Sequence, residues 1–138
     1  MYKQNVIASS KELSKKDLLR LKDTSAALSL NDLVKTDGEK LRLIIIDYAY
    51  LEVETDQESF NKMILTDTDF NQYQTGSEVF SKSIQEIFTD LEDELEDGVI
   101  IDVFKKKSNN QNGFFLNCVF VDTWKRPEEN IPVNPYEV

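Results

Sequence analysis

The segment Leu41–Thr55 predicts a long strand. Leu43, Ile45, Ala49, Leu51 and Val53 alternate onto one face, interrupted by Asp47, while Ile44, Ile46, Tyr48 and Tyr50 take the other. Both faces are partly apolar, as a strand that bends and serves two sheets requires. Lys62–Thr66 and Gln72–Thr75 follow as shorter strands. A helical stripe then runs through Phe80, Ile84, Ile87, Phe88, Leu91 and Leu95. Thr75 and Glu78 have capping-box spacing before it, and Gly98 stands where a helix ends. Val99–Phe104 and Phe114–Asp122 read as two further strands. The polar, basic loop between them, KKKSNNQNG, carries the hairpin signal Asn112-Gly113.

The flanks read differently. Residues 1–9 look like an irregular arm. Ser9 and Ser10 can cap a helix over Lys11–Leu21, and Thr24–Val34 fits either a second short helix or an extended segment. All three prolines lie beyond Lys125, so the C-terminal segment is expected to be extended. The chain thus divides into an arm and helical extension (1–35), a β domain (36–124) and a tail (125–138). The central order is strand, strand, strand, helix, strand, strand. That is the order of a five-stranded OB-fold barrel with its helix between strands three and four. The expected class is mainly β with helices, an OB barrel plus an N-terminal helical extension.

Charge alters what this domain is expected to bind. A net charge of −10 disfavours a nucleic-acid ligand at first sight. Its distribution changes that. Residues 1–46 hold nine Lys/Arg against six Asp/Glu, residues 47–104 two against sixteen, and residues 105–138 five against four. Both flanks can present positive surface, and a ligand responds to the local field. There is no histidine, which excludes Ser-His-Asp and Cys-His nucleophile systems and His-ligated zinc. The single cysteine, Cys118, cannot form an internal disulfide. The longest apolar run, Leu43–Ile46, is far short of a membrane span, and residues 1–16 contain no apolar signal core. A cytoplasmic, non-enzymatic protein without a cofactor is expected.

The stretches KMILTDTDFNQYQTGSEVFSKSIQEIF and GVIIDVFKKKSNNQNGFFLNCVFVD resemble the single-stranded-DNA-binding OB-fold proteins of bacteria. The likeness is to the divergent type encoded by Gram-positive conjugative plasmids and phages, and it covers residues 40–122. The resemblance implies sequence-independent coating of DNA exposed during plasmid transfer or phage replication. This chain departs from the common bacterial pattern in its N-terminal extension and in its short tail, PEENIPVNPYEV.

Binding a single strand without sequence preference takes aromatic platforms and a cationic track. The candidate platforms are Tyr48, Tyr50, Tyr73, Phe104, Phe115 and Trp124. The plainer alternative, strongest for the phenylalanines, is that they fill the barrel. Lys105, Lys106 and Lys107 form a cationic finger, although lysine also blunts strand edges. Arg126 and Lys125 adjoin Trp124, and Arg42 and Lys40 open the long strand.

Other chemistries are carried by fewer residues. Asp67, Asp69, Asn71, Tyr73, Thr75 and Glu78 occupy EF-hand spacing, but Gln72 stands where the loop needs glycine. Asp47 with Asp102 could form the metal pair of a nuclease. The acidic run Glu92–Asp97 could dock a protein partner, and the acidic middle segment, residues 47–104, could make the chain an interaction module or DNA mimic. Residues 1–35 hold seven Lys/Arg against four Asp/Glu and many leucines. Either those leucines cap the chain's own barrel, or the first dozen residues reach a second copy and support self-association on DNA.

Overall fold

The computed structural model describes residues 3–22, 27–35, 38–107 and 114–127. Ten elements follow in order: β1 (Lys3–Ser9), α1 (Lys15–Lys22), β2 (Leu28–Ser29), α2 (Leu30–Leu33), β3 (Lys40–Glu54), β4 (Ser59–Asp67), β5 (Gln72–Thr75), α3 (Glu78–Asp90), β6 (Gly98–Lys107) and β7 (Phe114–Trp124). The strands form one curled, mixed, seven-stranded sheet. Its path is β2-β5-β4-β3-β6-β7, with β1 joined to β3. The β2–β5 pair is parallel and the other pairs are antiparallel.

β3 organises the sheet. One of its edges carries β4, and the other is shared by β6 over Lys40–Ile45 and by β1 over Ala49–Glu54. A bulge breaks the ladder with β4 between Ile45 and Asp47, and it changes which residues face inward. Before it, Leu43 and Ile45 enter the main core; after it, Tyr48 does. Ala49 and Leu51 instead join Ile64 and Leu21 of α1 in a second cluster on the outer face. Strict alternation along β3 therefore fails at Ile46, and Tyr48 and Tyr50 lie opposite to their expected face.

The N-terminal residues are built into the sheet. Residues 3–9, expected as an irregular arm, pair with β3 of the same chain. The helix expected from Lys11 begins at Lys15. There Ser14 Oγ accepts from Asp17 N–H (3.2 Å), and Asp17 accepts from Ser14 N–H (3.0 Å). Ser10, expected to cap it, instead binds β3: its Oγ accepts from Tyr48 N–H (2.9 Å) and donates to Asp47 (3.2 Å). Leu30 and Val34, both fully buried, share the main core with Leu43, Ile45, Phe80 and Ile101. Segment 27–34 thus belongs to the same hydrophobic unit as the strands after it.

α3 keeps its predicted stripe, with Phe80, Ile84 and Phe88 buried. Its cap is Ser77, whose Oγ accepts from Phe80 N–H (3.2 Å), in place of the expected Thr75–Glu78 box. The helix stops at Asp90, yet Leu91 and Leu95 still pack against the core. Gly98 opens β6 rather than ending α3, and it must be small. A Cβ there would lie 2.8 Å from the Ile45 carbonyl oxygen, and the Trp124 ring covers its open side. The Asn112-Gly113 turn and the tail from residue 128 lie outside the described residues.

Two expectations about stability follow. Gly98→Ala should cost about 1–3 kcal/mol through overpacking against β3 backbone. It would be read as a lower denaturation midpoint with an unchanged slope. The second concerns alkaline pH. Burial, reinforced by its hydrogen bond to Asp67 (2.9 Å), pushes the Tyr73 hydroxyl up to about 12. A raised value means that the fold favours the protonated ring. That stability is complete below the ordinary tyrosine value near 10 and disappears as pH rises toward 12. Tyr73→Phe should flatten the fall in stability across that window, as measured by denaturation at stepped pH.

Candidate nucleic-acid interface

Cross-strand partners share a sheet face, so the register determines which expected residues meet. On the outer face of β3–β6–β7, Lys40 stands opposite Phe104, Arg42 opposite Asp102, and Ile44 opposite Ile100. The same face continues onto β7, with Phe115 opposite Lys106, Val119 opposite Asp102, and Trp124 opposite Gly98. Five expected binding residues therefore fall together: Arg42, Phe104, Lys106, Phe115 and Trp124. From Gly98 to Lys106 the face runs about 27 Å at ordinary strand rise. Phe104, Phe115 and Trp124 are half-buried, and Lys40, Arg42 and Lys106 are exposed. Ile44, Ile46 and Ile100 are also half-buried and belong to neither core cluster. They form an apolar floor that strand periodicity alone assigned no role.

The electrostatics of this face differ from those of the whole chain. Arg42 holds Asp102 through two hydrogen bonds, at 2.9 and 3.1 Å. The Arg42 guanidinium keeps the Asp102 carboxyl below its ordinary value, and Asp102 in turn raises Arg42. At the far end, the Arg126 guanidinium lies 5.2 Å from the Trp124 ring centroid. Asp97 fastens this corner. Its N–H donates to the Trp124 carbonyl (3.0 Å), and its carboxylate accepts from Arg126 N–H (2.7 Å). Among the described residues, the buried Nη1 of Arg126 has no hydrogen-bond acceptor.

Other expected residues lie elsewhere. Tyr48 is buried, its ring edge-on to Phe88 at 5.0 Å between centroids. Tyr73 is buried with its hydroxyl on Asp67. Neither ring has an open face for a base. Tyr50 packs its ring on the main core, and its hydroxyl accepts from Asn61 Nδ2 (3.4 Å). These corrections share the inversion at Ile46 and, for Tyr73, the inward face of a short strand. Lys105 points to the other side of β6, opposite buried Leu116, and donates to the Asn31 carbonyl (2.8 Å). The Lys107 side chain lies outside the described residues.

The competing chemistries also take definite positions. Asp67 accepts from the Asp69 and Asn71 N–H groups (2.9 Å each), from Asn71 Nδ2 (3.3 Å) and from Tyr73 Oη. Both its oxygens are engaged in shaping a turn. Asp47 meets Ser10 and Lys11, whereas Asp102 meets Arg42. The two carboxylates stand five residues apart in β3 register, or ~17 Å at ordinary strand rise. No cluster of three metal-binding side chains occurs among the described residues, and no described helix is long and apolar enough to cross a membrane. The acidic residues Glu92, Asp93, Glu94, Glu96 and Asp97 are all exposed, on the turn after α3. No family model, curated protein or solved structure matches the chain.

Proposed function

We propose that this protein binds single-stranded DNA without sequence preference, non-catalytically, on the outer face of β3–β6–β7. The observation that carries this reading is the register. It gathers Phe104, Phe115 and Trp124 with Lys40, Arg42 and Lys106 on one face, beside Asp102 and Asp122, and Arg126 lies against the Trp124 ring. Aromatic rings supply stacking that any base accepts, and the cations follow the backbone. We read β3–β7 with α3 as a five-stranded OB barrel to which β1 and β2 are added. In an OB barrel the outer face of strands two and three, here β4 and β5, commonly binds the strand. Here α1 packs Leu21 on Ile64 and covers part of that face, leaving β6 and β7 as its open continuation.

Phe104→Ala, Phe115→Ala and Trp124→Ala should each weaken binding to an oligothymidine by about 1–3 kcal/mol, measured by fluorescence anisotropy. Duplex of equal length should bind more weakly. Equal affinity for duplex, or three variants that bind as wild type, would refute the assignment of this face. The salt dependence offers a separate check. Three or four phosphate contacts give a slope of log K against log salt of roughly −2 to −3. Lys106→Gln should make it shallower.

A further inference from the structure

A pocket of about 110 Å³ opens beneath α1 on the outer face of the sheet. Its floor is Ala49 and Ile64, which stand opposite each other across β3 and β4. Ala49 is what gives it depth, since the buried β3 residues Leu51 and Val53 that follow on the same face are larger. The pocket lies on the same face as Ile44, just beyond the bulge, and so continues the surface described above.

Phe70 lines one side, and its backbone is unusual. Its φ is 64°, a region that non-glycine residues rarely occupy. The Asp67 carboxylate imposes that conformation by gathering the N–H groups on either side of Phe70. Phe70 is left half-exposed at the pocket, outside both core clusters. The rim carries both signs of charge. Lys11 faces Asp47 at 3.4 Å, and Arg20 faces Asp17 at 3.3 Å. All four side chains reach solvent, and exposed pairs of this kind are weakly held and readily exchange partners.

We propose that this pocket receives one pyrimidine base of a nucleotide, with the phosphate held by Lys11 and Arg20. Size limits the ring. A cavity of about 150 Å³ encloses benzene, so a pocket of about 110 Å³ that opens to solvent seats part of a single six-membered ring and is too small for a purine. Phe70 offers an aromatic wall to the base. The carboxylates of Asp17 and Asp47, with Gln72 on the lining, accept from the amino or imino edge. The cations release their carboxylates toward the phosphate. This deepens the single-strand reading and rests on it only for the source of the nucleotide.

The test is an NMR titration of the labelled full chain with dCMP, dTMP and dAMP. The expected result is saturable shifts of the Ala49, Ile64 and Gln72 amides with dCMP or dTMP, with dAMP at least about tenfold weaker. Ala49→Leu should abolish the effect by filling the floor. Should that variant fail to fold, the surface variant Lys11→Gln/Arg20→Gln supplies the second arm. It should weaken dCMP about tenfold while leaving deoxycytidine, which lacks the phosphate, unchanged. Unmoved pocket amides, equal binding of dAMP, or an equal loss for deoxycytidine would each overturn the proposal. Oligonucleotide binding with a silent pocket would refute the pocket and leave the β6–β7 face standing. Pocket binding of dCMP without oligonucleotide binding would do the reverse.

Discussion

The fold turns on one carboxylate that has to stay out of the core. Continued strictly, the alternation of Leu43 and Ile45 would aim Asp47 inward, between residues that meet Phe80 and Ile101. Burying an unpaired carboxylate is far costlier than breaking one ladder register. The bulge at Ile46 resolves this by turning Asp47 outward to Ser10 and Lys11. It brings Tyr48 inward against Phe88. Everything beyond that point inherits the new parity. The second half of β3 shows Ala49 and Leu51 to the outside, where they need a cover, and α1 supplies it.

That requirement explains why the N-terminal residues are integral to the fold. β3 has 15 residues, longer than β6 can pair, so one stretch of its edge is left open. β1 fills that stretch, and α1 covers the outer face beside it. The leucines before residue 35 divide accordingly: Leu21 joins the outer cluster and Leu30 the main core, while Leu19, Leu28 and Leu33 remain exposed.

Periodicity made α3 and the five later strands legible, because long apolar stripes and turn signals act locally. It could not locate the bulge. Leu43–Ile46 is apolar at every position, so either parity fits until Asp47, and the decision between them is a tertiary cost. Residues 3–9, KQNVIAS, show no clean alternation, and their strand exists only because β3 offers an edge. The candidate interface was legible where parity was preserved. Phe104, Lys106 and Phe115 lie on a hairpin whose alternation is regular there, and Arg42 precedes the bulge. Tyr48 and Tyr50 turn inward because parity is lost at Ile46. Phe70 carried no sequence signal at all, since its conformation depends on how Asp67 folds the turn around it.

The pairing of β1 with β3 also has a consequence in time. Lys3 meets Glu54, so β1 must wait for the far end of its partner. At ribosomal rates of about 5–20 residues per second, that interval is roughly 3–10 s. During it Val6 and Ile7, half-exposed even in the finished sheet, have no strand beside them. Lys3 and the lysines that follow at 11, 15 and 16 keep the waiting segment charged, which discourages premature pairing with another nascent chain.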